Sequence, residues 1–385
     1  MKFAEQAKAL AGCRVVERSH TVACAYAGRL LAALGAEVVL IEDAEGSPLR
    51  QGSPMLKGES ETSALFAYLG AGKRSLVCDL GTHTGRLALH AELANADIFI
   101  EDAPLSERVA QGLEPSVIAE QNAKLVHVSV LPFGATGPKA AWQAEEINLL
   151  HAGGEGYLLP NGLSHELFPD RPPLKIYGHF ASYQGGCAAA FAALSGLWAR
   201  DLVGGQYIDV STQDAVVSVG AFALQRLGDG SLEHRSTRRF RYGGVFRTTD
   251  GYVELLTLED RQWRALVELL GNPSWTVDEA LHDPLERSRR GDEINAHIRE
   301  WMASRRAEDV VVKAQELGVP VAKYRSPDEV LNGDHERARG LFVKGDLPGG
   351  GQVDVLYAPF HFGCNELASS VRVPELDELG RSRRA

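Results

Sequence analysis

The stretch Arg14–Glu42, RVVERSHTVACAYAGRLLAALGAEVVLIE, decides the fold. Arg14-Val15-Val16-Glu17 reads as a short strand. From Ala25 to Leu34 apolar residues recur at 27, 30, 31 and 34, the spacing of one helical face. Gly35 ends that helix, and Glu37-Val38-Val39-Leu40-Ile41-Glu42 follows as an apolar run, the mark of a strand buried on both faces. Strand, helix and buried strand in so short a span make a βαβ unit.

The same alternation continues outward. Strands are expected at Ser75–Cys78, Ala96–Ile100 and Leu125–Val130, with a helix from Gly85 to Ala94. Strands alternating with helices imply an α/β fold whose parallel sheet is covered on both faces. Beyond about residue 226 the character changes. Gly228-Asp229-Gly230-Ser231 reads as linker and Gly251–Leu256 as a hairpin-like strand. Asp260 is expected to cap a helix carrying Trp263, Leu266, Val267 and Leu270 on one face, stopped by Gly271 and Pro273. A second helix buries Ile294, Ile298, Trp301 and Met302. These features predict a large domain over 1–225, completed by 335–385, and a smaller α+β domain with linkers over 226–334.

At 385 residues the chain can hold two domains and a large core. With 44% hydrophobic and 24% charged residues it reads as a soluble globular protein. A net charge of −11 argues against nucleic acid as a partner, because phosphate binding needs a concentrated basic surface. The cluster Arg235, Arg238, Arg239 and Arg241 reads as a solvated loop, one or two of whose arginines could meet an anionic ligand. No apolar run approaches the roughly twenty residues that span a bilayer. No apolar segment of a signal peptide follows Met1–Gln6, so no membrane partner and a cytoplasmic location are expected. Cysteines 13, 24, 78, 187 and 364 lack metal-type spacing and read as reduced, buried thiols, with no metal site.

Several phrases occur in order along nearly the whole chain: Leu34-Gly35-Ala36-Glu37-Val38; Gly72-Lys73-Arg74-Ser75-Leu76 with Asp79-Leu80; Phe133-Gly134-Ala135-Thr136-Gly137-Pro138; Gly204-Gly205-Gln206-Tyr207-Ile208-Asp209-Val210-Ser211; Asp250-Gly251-Tyr252-Val253; and Gly318-Val319-Pro320-Val321 with Ser326-Pro327-Asp328-Glu329-Val330. Together they resemble the class III coenzyme A-transferase family, the group of formyl-CoA transferase, carnitine CoA-transferase and 2-methylacyl-CoA racemase. The resemblance implies a Rossmann-like large domain built from both chain ends, and a small domain joined by long linkers. It implies an interlocked dimer, either a homodimer or a heterodimer with a homologous chain. Its substrates would be coenzyme A or an acyl-CoA and a small carboxylic acid, with no permanently bound cofactor.

Within the window Lys175–Gly186, a strand-like run leads into the small-residue helix Cys187–Leu194, and the resemblance then places Ser182 where transferases carry a nucleophilic aspartate, with Gly186 four residues on. A carboxylate there attacks the thioester to form a mixed anhydride, and CoA returns to make an aspartyl thioester. A serine hydroxyl can accept an acyl group but offers no carbonyl on which CoA could be held. In Ala144-Glu145-Glu146-Ile147-Asn148, Glu145 lines up with the histidine of the racemase branch, and Glu146 falls where the family is commonly acidic. Two-base racemisation needs groups on both faces of the α-carbon, and here only Glu145 could titrate usefully. The resemblance also points to Arg50, Lys73, Arg74, Ala103, Gly134 and Gly137 as CoA contacts. Two phrases depart from the family at that site, Ala23-Cys24-Ala25 and Glu101-Asp102-Ala103-Pro104-Leu105-Ser106, the latter losing an arginine.

These residues leave alternatives open. Ser182 reads as an inert replacement in preference to an acyl-serine nucleophile served by His179, Glu145 or His151. Glu145 reads equally as a lone general base and as a solvated loop residue, and a neighbouring like charge would raise one carboxyl toward a useful range. His151 and His179 read as structural. Lys73 and Arg74 read as phosphate ligands or as caps on a strand entry. Tyr242-Gly243-Gly244 resembles a glycine loop over the family's active site, and equally a plain turn. Three functions follow: an acyl-CoA-handling CoA-transferase; a non-catalytic subunit paired with an aspartate-bearing homologue; and an acyl-CoA lyase, dehydratase or hydrolase using Glu145 or Ser182.

Overall fold

Six parallel strands form the main sheet of the computed structural model, which describes residues 8–56, 62–160, 165, 168–220, 227–228, 230, 242–362 and 370–384. The strands are β1 (Arg14–Arg18), β2 (Glu37–Glu42), β3 (Arg74–Val77), β4 (Ile98–Glu101), β5 (Val126–Leu131) and β6 (Gln206–Ser211). Their order is β3-β2-β1-β4-β5-β6, so the winding reverses between β1 and β4. That is the Rossmann-like arrangement, whose ligand crevice lies beyond the carboxyl ends of the strands at the reversal.

The inner strands are buried along most of their length because they pack on two layers, whereas the edge strand β6, QYIDVS, is largely exposed. Val15, Val38, Ile98 and Val128 face one cluster with Ala27 and Leu31; Val16, Val39, Ile41 and Phe99 face the other with Leu89 and Leu93. The first layer contains α1 (Val22–Ala33), and the second α3 (His83–Leu93) and α5 (Pro115–Gln121). Between them in the chain lie α2 (Ala64–Leu69) and α4 (Leu105–Gln111). Helix α1 starts three residues before Ala25, the start expected from the spacing, because Thr21 caps it, its hydroxyl accepting from the Cys24 N–H at 3.4 Å.

After α6 (Glu146–Ala152), the long α7 (Phe180–Val203) lies against α1. Its glycines set that distance, since a Cβ on Gly186 would stand 2.7 Å from the Ala23 carbonyl oxygen. No strand leads into Ser182 among the described residues of the window 175–186. Residues 175–178 are irregular and α7 begins seven residues before Cys187, which puts Ser182 in its first turn. The short α8 (Thr212–Val219) follows β6.

The chain divides into two compact units, one of Met1–Glu155, Lys175–Ala223 and Asp334–Ala385, the other of Gly156–Leu174 and Leu224–Gly333. Residues 156–174 therefore group with the second unit, not with the large domain in which the sequence reading put them. In the first unit the tail adds β10 (Phe342–Asp346) between strands Gln352–Leu356 and Ser370–Arg372. Asp377 then fastens to β3, accepting from the Val77 N–H at 3.0 Å.

The second unit holds an antiparallel sheet of β7 (Gly244–Arg247), β8 (Tyr252–Leu255) and β9 (Val321–Lys323), packed against helices Asp260–Leu269, Gly291–Met302 and Ala307–Leu317. Asp260 is the first residue of its helix rather than the cap, which is Glu259; the Asp260 carboxylate accepts from Arg287 instead. The arginine cluster 235–241 and Cys364 lie outside the described residues. Of the other cysteines, Cys24 and Cys78 are buried and Cys13 half-buried, but Cys187 is exposed on α7. Burial pushes the Cys78 thiol up to about 12 and the Cys13 thiol to about 11.

Candidate active site at the head of α7

The first turn of a helix leaves backbone N–H groups without partners, and at α7 a glutamate from α6 takes them. Glu146 Oε1 accepts from the Ala181 N–H at 2.7 Å, and Glu146 Oε2 accepts from the Ser182 N–H at 3.0 Å. The Ser182 hydroxyl donates to the same Oε2 at 2.7 Å. One carboxylate thus receives three hydrogen bonds and meets the positive end of a helix of 24 residues. Both side chains sit at the edge of the interior, each residue 9% exposed. Leu149, Leu150, Ala181 and Val216 form the apolar floor beneath them. Two residues before α7, Gly178 adopts φ 91°, and a Cβ there would meet nothing within 4 Å.

Of the two adjacent glutamates, it is Glu146 that meets Ser182. Glu145 is exposed and is the N-cap of α6, its N–H donating to Asn148 Oδ1 at 2.9 Å. His151 lies in the last turn of α6, and His179 is the N-cap residue of α7, its ring 6.2 Å from that of Tyr183. Next to Ser182, Tyr183 packs on Tyr26, with ring centroids 4.7 Å apart, and Tyr68 completes the cluster. Burial raises the Tyr183 hydroxyl to about 12. The window itself carried Tyr183 in plain view, but its partners at 26 and 68 come from α1 and α2 and leave no local trace.

The cations expected at CoA have other partners. Lys73 is buried, donates to Glu17 Oε1 at 2.7 Å and to the Ala25 carbonyl at 2.8 Å, and so caps the strand entry from inside. Burial raises the Glu17 carboxyl and lowers the Lys73 ammonium against their mutual attraction. Arg50 grips Glu42 with two nitrogens at 2.7 Å and lies over the Phe66 ring at 4.1 Å. Arg74 is exposed and only 3.7 Å from Glu37, the loosest of the three. Arg108, which the sequence reading passed over, is buried and paired with Glu101 at 2.7 Å.

The backbone positions expected at CoA also have partners within the fold. The Ala103 N–H donates to Glu101 Oε2 at 2.7 Å directly after β4. Gly134 and Gly137 take φ 77° and 84°, and the Ala135 N–H between them is held by Asp209 Oδ1 at 2.8 Å. At the sheet reversal, Asp102 Oδ2 accepts from the His20 and Thr21 N–H groups at 2.8 and 2.7 Å. Burial raises that carboxyl. In the second unit, Gly243 and Gly244 both have positive φ and the Gly243 N–H donates to Asn295 Oδ1 at 2.8 Å.

The pattern of CoA-transferase family III matches residues 10–379. The chain belongs to CoA-transferase family III. A CaiB/BaiF-family protein from Brucella suis has the same fold, with a TM-score of 0.84 at 28% identity, covering 98% of this chain and 99% of that one. The probable CoA-transferase Rv1866 of Mycobacterium tuberculosis is 30% identical over 327 residues, 83% of this chain. The chain spans only 40% of that relative's length. The alpha subunit of succinyl-CoA–L-malate CoA-transferase from Chloroflexus aurantiacus is 28% identical over 90% of this chain and 81% of its own. For this family III member, then, the head of α7 holds a carboxylate from Glu146 hydrogen-bonded to a serine. No helix among the described residues is long and apolar enough to cross a membrane.

Proposed function

We propose that this family III chain exchanges coenzyme A between small carboxylic acids, with the acyl-CoA thioester brought to the head of α7. The observation that carries the reading is the buried-edge contact of Glu146 with Ser182 at 2.7 Å. It sets a carboxylate, the kind of nucleophile that CoA exchange between acids uses, at the N-terminus of a long helix. Arg74 starts β3 and faces Glu37 at the start of β2, at the amino ends of the strands, so it is not the phosphate ligand in this reading. Lys73 and Arg50 are committed to their ion pairs with Glu17 and Glu42. The loop of Gly134 and Gly137 lies beneath the thioester in this reading, and Ala103, fully buried, shapes it only indirectly. Glu145, exposed one residue from Glu146, serves as a proton acceptor only in the lyase reading, which no contact with Ser182 supports.

The test is direct. The purified chain is incubated with a panel of acyl-CoAs, each with a panel of mono- and dicarboxylic acids, and new acyl-CoAs are measured by mass spectrometry. Exchange supports the reading. If no pair exchanges, the chain is not a CoA-transferase by itself.

A second reading makes the chain one subunit of a pair with an aspartate-bearing chain of the same fold, and a specific surface favours it. Phe191, Trp198 and Leu202 lie seven and four residues apart along α7 and are 75%, 90% and 88% exposed. Such a stripe on a helix of a monomer is unusual. The relative named as an alpha subunit and the relative with three-fifths of its length unmatched accord with a two-chain or fused arrangement. Activity that appears only on mixing with an aspartate-bearing family III chain would select this reading. Full activity of the single chain would reject it.

A further inference from the structure

We infer that Glu146 is the covalent carrier of coenzyme A in this chain, and that Ser182 is an oxyanion donor to it rather than a nucleophile. The inference rests on the reading of the chain as a CoA-transferase.

The two oxygens of Glu146 are not equivalent. Oε2 is held by two donors, the Ser182 N–H at 3.0 Å and the Ser182 hydroxyl at 2.7 Å. Oε1 is held by one, the Ala181 N–H at 2.7 Å. A carboxylate oxygen has two lone pairs in its plane, so Oε1 keeps one free. The free pair makes Oε1 the attacking atom. Oε2, with its two fixed donors, is where negative charge is best received.

The steps balance on that assignment. Oε1 attacks the thioester carbonyl carbon, the carbon–sulfur bond breaks, and CoA leaves as thiolate. The product is a mixed anhydride with Oε1 as its bridge. The thiolate then attacks Cδ of Glu146, and the charge moves onto Oε2, where the Ser182 N–H and hydroxyl already point. Collapse breaks the Cδ–Oε1 bond. The donor acid departs as a carboxylate with Oε1, and a glutamyl-CoA thioester remains. The acceptor acid reverses the sequence and leaves one of its own oxygens on Glu146. No oxidant, reductant or further proton source is required.

The serine fits this assignment. An aspartate at 182 would set a second carboxylate within hydrogen-bond reach of Glu146, where two like charges cannot both ionise freely. It would also replace a hydroxyl donor by an acceptor. A hydroxyl sets no second carboxylate against Glu146 and adds the second donor to Oε2. Serine has no carbonyl of its own to carry CoA, whereas the glutamate it touches has one.

The full chain is incubated with an acyl-CoA without acceptor, quenched with sodium borohydride and digested for peptide mass spectrometry. Borohydride reduces a glutamyl thioester to a primary alcohol, and the alcohol is expected at Glu146 in the wild type and absent in Glu146→Gln. Turnover with a carboxyl-18O acceptor is expected to leave 18O in Glu146. Ser182→Ala is expected to retain the adduct while exchange slows about 10²- to 10³-fold, the usual cost of one oxyanion donor. An acyl group found on Ser182, or exchange with neither reduction nor 18O at Glu146, overturns the carrier assignment and leaves the transferase reading standing. Absence of both exchange and adduct across the acyl-CoA panel overturns both.

Discussion

Gly28 on α1 leaves room for Glu17 and nothing else: a Cβ at that position would stand 1.6 Å from Glu17 Oε2 and 3.2 Å from Lys73 Nζ. The buried ion pair between β1 and the approach to β3 therefore exists because a helix residue lacks a side chain. The glycine is needed here for close approach, not for a special backbone angle. Breaking the pair from one side leaves an uncompensated buried charge, at a cost of about 3 to 5 kcal/mol. Lys73→Met should accordingly lower unfolding stability in urea by about that much, while Lys73→Met with Glu17→Gln should recover most of it. Gly28→Ala should be as damaging as Lys73→Met. Equal stability of the single and double variants would contradict the pairing.

The Arg50–Glu42 pair makes a prediction about acid. Burial pushes the Glu42 carboxyl up, but hydrogen bonds and charge from Arg50, with further bonds from Ser75 and Ser47, outweigh it and hold the carboxyl below its usual value of 4.5. A depressed carboxyl stabilises the fold above the unfolded value, and that contribution is lost as pH falls through the folded one. Wild-type stability should therefore decline below about pH 4.5 more steeply than that of Glu42→Gln. Chemical denaturation from pH 3 to 7 reads the difference; parallel curves would refute it.

Ser182→Asp should behave in the opposite sense. Two carboxylates at the head of α7 raise at least one folded-state value, so stability is present at low pH and lost as pH rises through it. The variant should lose about 1 to 3 kcal/mol at pH 8, part of it the hydroxyl bond to Glu146, and regain most near pH 4. A pH-independent loss would mean that the two side chains do not face each other.

The stripe on α7 is testable in solution. If Phe191, Trp198 and Leu202 are covered by another chain, Phe191→Glu with Trp198→Glu should convert a multimer to a monomer in light scattering, with urea stability per chain falling. Unchanged mass would leave the stripe as a solvent-facing surface.

Much of the α/β architecture could be read locally. A strand buried on both faces must be apolar throughout, and a helix on a sheet must repeat every three or four residues. Both constraints act within ten residues, so β1, β2, β4 and β5 were visible within a residue or two. Errors fell where a boundary depends on a cap or on a partner far along the chain. Helix α1 starts at Val22 because the Thr21 side chain caps it, and α7 starts at Phe180, where Glu146 receives its N–H groups. Asp260, beside a true cap at Glu259, was misread for the same reason.

Lys73 and Arg74 mark the division most plainly. As neighbours with like charge they were equivalent in the sequence, yet one is buried against Glu17 and the other is exposed, because adjacent side chains at a strand entry point to opposite sides. Glu145 and Glu146 divide similarly across a helix start, and only the second turns toward α7. Chain chemistry alone established the family pattern, the alternation of strands and helices, and the missing aspartate at 182. Which charges are free, and which carboxylate reaches Ser182 across 36 residues, depended on packing between elements. Hydrogen bonds of that kind are short-range in space and unrestricted in sequence separation, so no local pattern records them.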